Sequence, residues 1–225
     1  GNDGPFLDEE NHMSASESPR SLKSNDGDIL CLYELHSDLD VEAHDSAHCS
    51  VLIHGPYLYV CPTNGVDAKH NYMVNQNTPS LIVLEKSTGR LVAQDNENIG
   101  PNIAHSTWSS PTLYRSTNNE QIVFAAGNGI CYGFEALSEN TRVNRGVQSL
   151  AKLWQFDCDP TAPKEQIHSY RGNREISASN IYGMPVVNDG QIFIAYGGDF
   201  WHGKRKSWIK SFKPDGNGNI TDNAL

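Results

Sequence analysis

The 225-residue chain contains no run of the roughly 18 apolar residues that a membrane-spanning helix needs. Positive charge is scarce too. Seventeen Lys and Arg stand against 27 Asp and Glu, for a formal net charge of -10 and a pI near 5.3, and the basic residues form no stripe. The summed field repels phosphate backbones, so nucleic acid is not an expected partner. The five cysteines (Cys31, Cys49, Cys61, Cys131, Cys158) include no CxxC pair, which removes the common zinc and thioredoxin patterns. Being odd in number, they leave at least one thiol unpaired within the chain. Cys49 and Cys61 flank a predicted hairpin, but a two-residue turn would set them on opposite faces, and buried small hydrophobes are the simpler reading. No GxSxG elbow, phosphate-cradling glycine loop or HExxH helix occurs, so nucleophilic, phosphoryl-transfer and metalloprotease chemistry find no support. No segment sustains apolar residues at i, i+3, i+4, i+7 over three turns, and helices are expected to be minor. A basic-then-apolar leader is absent at the N-terminus.

What the chain does contain is a recurring order of short strands and turns. LIVLEKSTGRLVA, residues 81–93, is an apolar run, a turn and a second apolar run. The layout returns at ICYGFEAL with AKLWQFD and again at SWIKSFKPDGNGNI. Each unit opens on a comparable strand, at Ser50-Val51-Leu52, Ser110-Pro111-Thr112 and Met184-Pro185-Val186. CSVLI and YLYVC pair across His54-Gly55-Pro56, and YGMPVV turns at Asn188-Asp189-Gly190 into QIFIAYGG, both hairpin signals. The unit length exceeds the roughly 40 to 50 residues of a compact propeller blade, so the surplus is assigned to loops.

Four-stranded sheets of this kind bury their faces only by stacking on neighbouring sheets. The expected fold is therefore all-β, a β-propeller of four-stranded antiparallel blades with about three blades in this chain. Residues 1–28 read as a polar connector and the end of a preceding blade. Residues 29–225 read as the propeller segment, with blades at about 47–95, 109–158 and 181–225, and with DILCLYEL supplying a closing strand. GNDGPF reads as the end of a strand, and ITDNAL stops where another should start. A segment of something larger, or a chain completed by a partner, is expected.

DGDILCLYEL, CSVLIHGPYLYVCPTNGVD, PSLIVLEKSTGRLVA, HSTWSSP, LWQFDCDP and YGGDFWHG together resemble the pyrroloquinoline-quinone-like, quinoprotein alcohol-dehydrogenase-like β-propellers. More narrowly, they look like exported bacterial propeller proteins of the planctomycete type. The likeness covers almost the whole chain, although Cys31 and Ala93 stand where that group tends to carry Trp. It implies a periplasmic or extracellular location. For the dehydrogenases of the family it also implies a quinone near the propeller axis with calcium beside it. The adjacent disulfide-linked cysteines of those enzymes are missing here, and no segment matches their calcium ligands or aspartate base, so none is carried over. Related propellers without cofactor act as scaffolds, and the weight shifts toward binding.

Candidate ligand-binding residues are Asn64, Asp67, His70, His105, Trp108, Asp199, Trp201 and His202, all placed in predicted loops. If those loops share one rim, imidazoles and carboxylates converge on the axis, as zinc or copper would require. His44 and His48 are the candidate metal ligands because of their HxxxH spacing. The same histidines suit, more simply, a role at the surface or in holding loop backbones. Asn64 and Asp67 suit a loop clip as well as a pocket wall. Asp157 and Asp159 offer two carboxylates to calcium without further spaced oxygens. Arg171, Arg174 and Glu175 suit an anion or, more simply, a solvated charge cluster. Trp154 and Trp208 are expected in the core.

Three functions follow as expectations. The first is a non-catalytic binding or assembly module. The second is a quinone-dependent oxidoreductase with an axial pocket. The third is a structural subunit whose open edges pair with a protein partner or other copies of the chain by strand addition.

Overall fold

The computed structural model describes residues 23–45, 47–116, 119–138, 141 and 146–222. Most of the polar stretch at residues 1–28 lies outside them. The described chain builds three sheets in succession. In the first, β1 (Leu52–His54), β2 (Tyr57–Val60), β3 (Ile82–Glu85) and β4 (Leu91–Gln94) pair antiparallel in chain order. The second holds β5 (Thr112–Arg115), β6 (Glu120–Ala125), β7 (Ile130–Glu135) and, beyond the short β8 (Gln148–Ser149), β9 (Lys152–Asp157). The third has β10 (Val186–Asn188), β11 (Gln191–Gly197) and β12 (Ser207–Phe212), and a short β13 (Gly218–Asn219) follows. The β10–β11 hairpin turns through Asp189 and Gly190, both at positive φ (48° and 72°), which matches the twist of the flanking strands.

Side-chain alternation explains how the sheets stack. In β6, Ile122 and Phe124 enter one core with Tyr57, Tyr59, Val83 and Val92 of the first sheet. Their neighbours Val123 and Ala125 enter a second core with Ile192, Ile194 and Phe212 of the third. The middle sheet is thus buried on both faces, which is why QIVFAA is a continuous apolar run and not an alternating one. Trp154 of β9 is fully buried and donates from Nε1 to Gln121 Oε1 at 2.7 Å. Its ring packs against Gly133, where a Cβ would fall inside van der Waals contact. Phe156 stacks on Phe212 with centroids 4.0 Å apart, joining the second sheet to the third.

Two short parallel strands lock the sheets together, and neither is visible in the sequence pattern. β8 leaves the second unit to pair with the outer edge of β4, and β13 does the same from the third unit onto β9. The bonds are equivalent: Leu150 N–H donates to Gln94 O at 2.8 Å, and Ile220 N–H to Gln155 O at 3.0 Å. Both side chains are buried. Each covered edge is thereby withdrawn from unwanted strand pairing.

Two expectations are corrected. Among the described residues the segment ILCLYEL joins no ladder: it is irregular as far as Glu34 and then enters the one-turn helix α1 (Leu35–Leu39). Glu34 caps that turn by accepting from His36 N–H at 3.3 Å and Ser37 N–H at 2.6 Å, which competes with strand pairing. Trp208 is not core. It stacks on Tyr196 at 5.4 Å but stays 41% exposed, because no further sheet covers that face of β12 among the described residues. All five cysteines are free thiols, and Cys61 Sγ–H donates to Thr107 O at 3.2 Å. Among the described residues no helix is long and apolar enough to cross a membrane.

Candidate functional site

Strand alternation brings the long loops to one end. In each antiparallel sheet, the segment entering the first strand and the segment joining the second to the third emerge on the same side. These segments carry His44 (before β1), His70 (β2–β3), His105 and Trp108 (before β5), Tyr182 (before β10), and Asp199 and His202 (β11–β12). The equivalent β6–β7 turn is short and contains Gly127 and Gly129. A Cβ at Gly127 would collide with Ser106 O, and one at Gly129, which has φ 78°, with Ser179 O. The two flanking loops therefore rest directly on this turn, and the long loops of the outer sheets meet above it. Arg171 fastens them by donating from Nη1 to Asn71 Oδ1 at 2.6 Å and from Nη2 to Lys69 O at 2.8 Å.

At the meeting point three imidazoles converge. One ring nitrogen each of His44, His70 and His105 lies within 4.8 Å of the others, and His44 and His105 are buried. His44 Nδ1 sits 2.8 Å from Val66 O, and a carbonyl only accepts, so Nδ1 bears the hydrogen and Nε2 is free to ligate. His105 Nδ1 sits 2.6 Å from Asp199 Oδ2, which leaves Nε2 as its ligating atom. That His105 Nε2 is buried with no hydrogen-bond partner. His44 Nε2 and His70 Nε2 are 2.9 Å apart. Since His44 offers a lone pair there, His70 holds the shared proton, and a cation would take its place. Two nitrogens on a tetrahedral ion with bonds of about 2.0 to 2.1 Å stand about 3.3 Å apart, so the His44–His70 pair opens slightly and the wider separations, up to 4.8 Å, close in around the ion.

A further shell holds these rings. Tyr182 donates to Asp199 Oδ2 at 2.8 Å, and the backbone N–H groups of Trp201 and His202 donate to Oδ1 at 2.8 and 2.6 Å. Burial alone would raise the Asp199 carboxyl, but the bonds from His105, Tyr182 and His202 outweigh it and hold it well below the usual carboxylate range. Burial and the Asp199 charge push the Tyr182 phenol well up, so it stays a donor. His70 is lowered by burial and then by the neighbouring His105, His44 and Arg171 charges. His202 is lowered by burial and by Arg171. Its ring centroid is 4.8 Å from that of His70.

The other candidates fall into place around this centre. Trp108 packs on His105 at 5.0 Å and donates from Nε1 to His44 O at 3.4 Å. His48 is exposed and lies edge-on to Trp108 at 5.6 Å, outside the three-histidine group. The HxxxH spacing does not bring it beside His44 as a ligand, because the described residues between α1 and β1 form no further helix. Asn64 is buried and accepts through its backbone O from Thr107 N–H at 3.1 Å. Asp67 clips the loop that presents His70, accepting from the backbone of Asn71 at 2.6 Å and Tyr72 at 3.1 Å. Trp201 is 69% exposed and contacts Phe200 instead of the histidines. Asp157 and Asp159 are engaged by Lys164 and Lys204, at 2.7 and 2.6 Å, and are not arranged for calcium. Arg174 donates to Phe200 O at 3.1 Å.

Tyr182 was accessible from the repeat. It stands two residues before Met184, as Trp108 stands before Ser110 and His48 before Ser50. The three rings form a row, with His48–Trp108 centroids at 5.6 Å and Trp108–Tyr182 at 4.9 Å. Reading the units in register would have found it.

The donor set does not fit the quinone and calcium pair. Calcium takes six to eight oxygen ligands, whereas three imidazole nitrogens suit zinc or copper. The cavity beside the triad, of about 20 Å³, is far short of what a fused tricyclic quinone needs.

No family model matches the chain, and no curated protein does. Among solved structures it is similar to the quinohemoprotein alcohol dehydrogenase ADHIIG from Pseudomonas putida HK5, at 12% identity and a TM-score of 0.47, over 80% of this chain. The chain spans about a fifth (20%) of the length of that protein.

Proposed function

We propose that this chain is a binding module on a propeller-type scaffold whose rim holds one transition-metal ion, zinc or copper, through His44, His70 and His105. The convergence of three imidazole nitrogens within 4.8 Å, two of them oriented by Val66 O and Asp199, carries this reading. The scaffold reading rests on contacts between equivalent positions of successive units. Ser50 N–H donates to Ser110 Oγ at 2.8 Å, and Ser109 Oγ–H to Gly183 O at 3.0 Å, so the opening strands start side by side as successive blades would. A location outside the cytoplasm, implied by the resemblance noted above, belongs to the same proposal.

The test is equilibrium dialysis of chelator-stripped protein against Zn²⁺ or Cu²⁺ with elemental analysis. One equivalent is expected, reduced at least tenfold in affinity by His105→Ala or His70→Ala. Failure of the folded wild-type chain to retain either metal sinks the proposal.

A second reading, a structural subunit completed by a protein partner or another copy, is favoured by the third sheet. Ile209 is 77% exposed there, beside the half-exposed Val186 and Trp208. Light scattering that found only a compact monomer at all concentrations would count against pairing with another copy.

A further inference from the structure

We infer that the cavity beside the histidine triad binds a small monoanion of about three heavy atoms, as an exogenous ligand of the metal held by Asn180. This inference rests on the metal reading above. Three histidines fill three positions of a tetrahedral ion and leave the fourth for a ligand, the arrangement of reactive rather than purely structural zinc and copper sites, and the exposed Asp45 carboxylate, 3.6 Å from His44 Nε2, is the group that an exogenous anion has to displace there. His70 belongs both to the triad and to the wall of the cavity, which is further lined by His168, Arg171, Asn180, Asp199 and His202. The metal and the cavity therefore share a side chain.

The decisive residue is Asn180. It is 3% exposed, and neither its side-chain Oδ1 nor its Nδ2 has a hydrogen-bond partner. Its backbone is fully engaged, donating to Gly197 O at 2.7 Å and accepting from Gly197 N–H at 3.1 Å, so the side chain is held in place by a rigid bridge to β11. Buried amides are rarely left unpaired, and an orphaned one on a cavity wall marks the place of a partner. His168 Nε2, on the same wall, is likewise buried and unpartnered.

Charge and size define that partner. Arg171 hydrogen-bonds two neutral oxygens, Asn71 Oδ1 and Lys69 O, and shares its charge between the nearby Asp67 carboxylate and the cavity that it lines. The Asp199 carboxylate is saturated by four donors: His105, Tyr182, and the N–H groups of Trp201 and His202. With a divalent ion at the triad the field favours an anion. Space of about 20 Å³ admits a water or a group a little larger, which matches azide or formate and excludes sugars and polycyclic cofactors.

The test uses the full chain loaded with Cu²⁺, which any three-imidazole site that accepts zinc accepts more tightly. Copper content is fixed first by elemental analysis, and azide is then titrated while its charge-transfer absorption to copper is followed. We expect saturation at one azide per copper and competition by formate. Asn180→Leu, close in size and unable to donate, is expected to keep its copper and bind azide at least tenfold more weakly. Asn180→Asp serves the same purpose should Asn180→Leu fail to fold. Copper bound at one equivalent with no azide absorption, or with azide affinity unchanged in the folded variant, overturns the anion site and leaves the metal reading standing. No copper bound in the wild type overturns both.

Discussion

His105 Nδ1 and Asp199 Oδ2, 94 positions apart in the chain, are joined by a 2.6 Å hydrogen bond between buried side chains. The contact ties the loop entering the second sheet to a loop of the third, and it decides which nitrogen of His105 faces the triad. Asp199 thereby acts as a positioning residue for the proposed metal centre.

Asp199→Asn should lower metal affinity by about 10- to 100-fold, the usual effect of removing such a partner. Competition against a chelator of known affinity measures it. An unchanged affinity would show that His105 does not depend on this bond.

Acid should loosen the fold through two carboxylates. Asp199 and Asp159 are both held well below the usual range, Asp159 because the bonds from Lys204, Ser179 and Thr161 overcome the opposing effect of burial. Depressed folded values mean stability that is present above the unfolded carboxyl value of about 3.9 and lost as pH falls below it. Melting temperature followed from pH 5 to pH 2.5 should drop steeply, and less steeply in Asp159→Asn.

Lys204→Met should cost about 3–5 kcal/mol at pH 7, since it strands a buried Asp159 charge 2.6 Å from the missing ammonium. Urea denaturation measures the loss. The double variant with Asp159→Asn should recover part of it, and no recovery would place the cost in packing instead.

Gly127→Ala should destabilise by about 1–3 kcal/mol, because the new methyl meets Ser106 O, and should weaken metal affinity by shifting the adjacent His105. Gly146→Ala, with nothing among the described residues within 4 Å of its added methyl, is the matched control and should stay within about 0.5 kcal/mol of wild type. Equal losses in both would refute the close-approach argument.

His70 should titrate below the ordinary imidazole value of about 6.5, as burial and its cationic neighbours require. A lowered value keeps the ring neutral to more acidic pH, so ligation through it persists below pH 6.5. Ring-proton NMR of the metal-free protein checks the midpoint, and a value above 6.5 would contradict the surroundings described.

Much of the sheet structure was legible because it is local. Asn188-Asp189-Gly190 announced the hairpin that joins β10 to β11, and the recurring opening strands announced the order of the units. Glu34 misled the reading of ILCLYEL, since a capping side chain outweighed strand propensity where no partner strand was paired. Trp208 misled it in the opposite sense, because an aromatic on a strand says nothing of whether another sheet arrives to cover it.

The amino-acid order alone determined that this protein is all-β, built on antiparallel hairpins, acidic and supplied with loop histidines, because turn residues and apolar alternation act over a few neighbouring positions. Tertiary structure decided which histidines meet. His44 was paired with His48 by spacing, yet it faces His70 and His105, since the short Gly127–Gly129 turn lets loops of separate sheets close over it. Asn180 gave no signal at all in the sequence, for an unpaired amide becomes meaningful only once the chain has buried it.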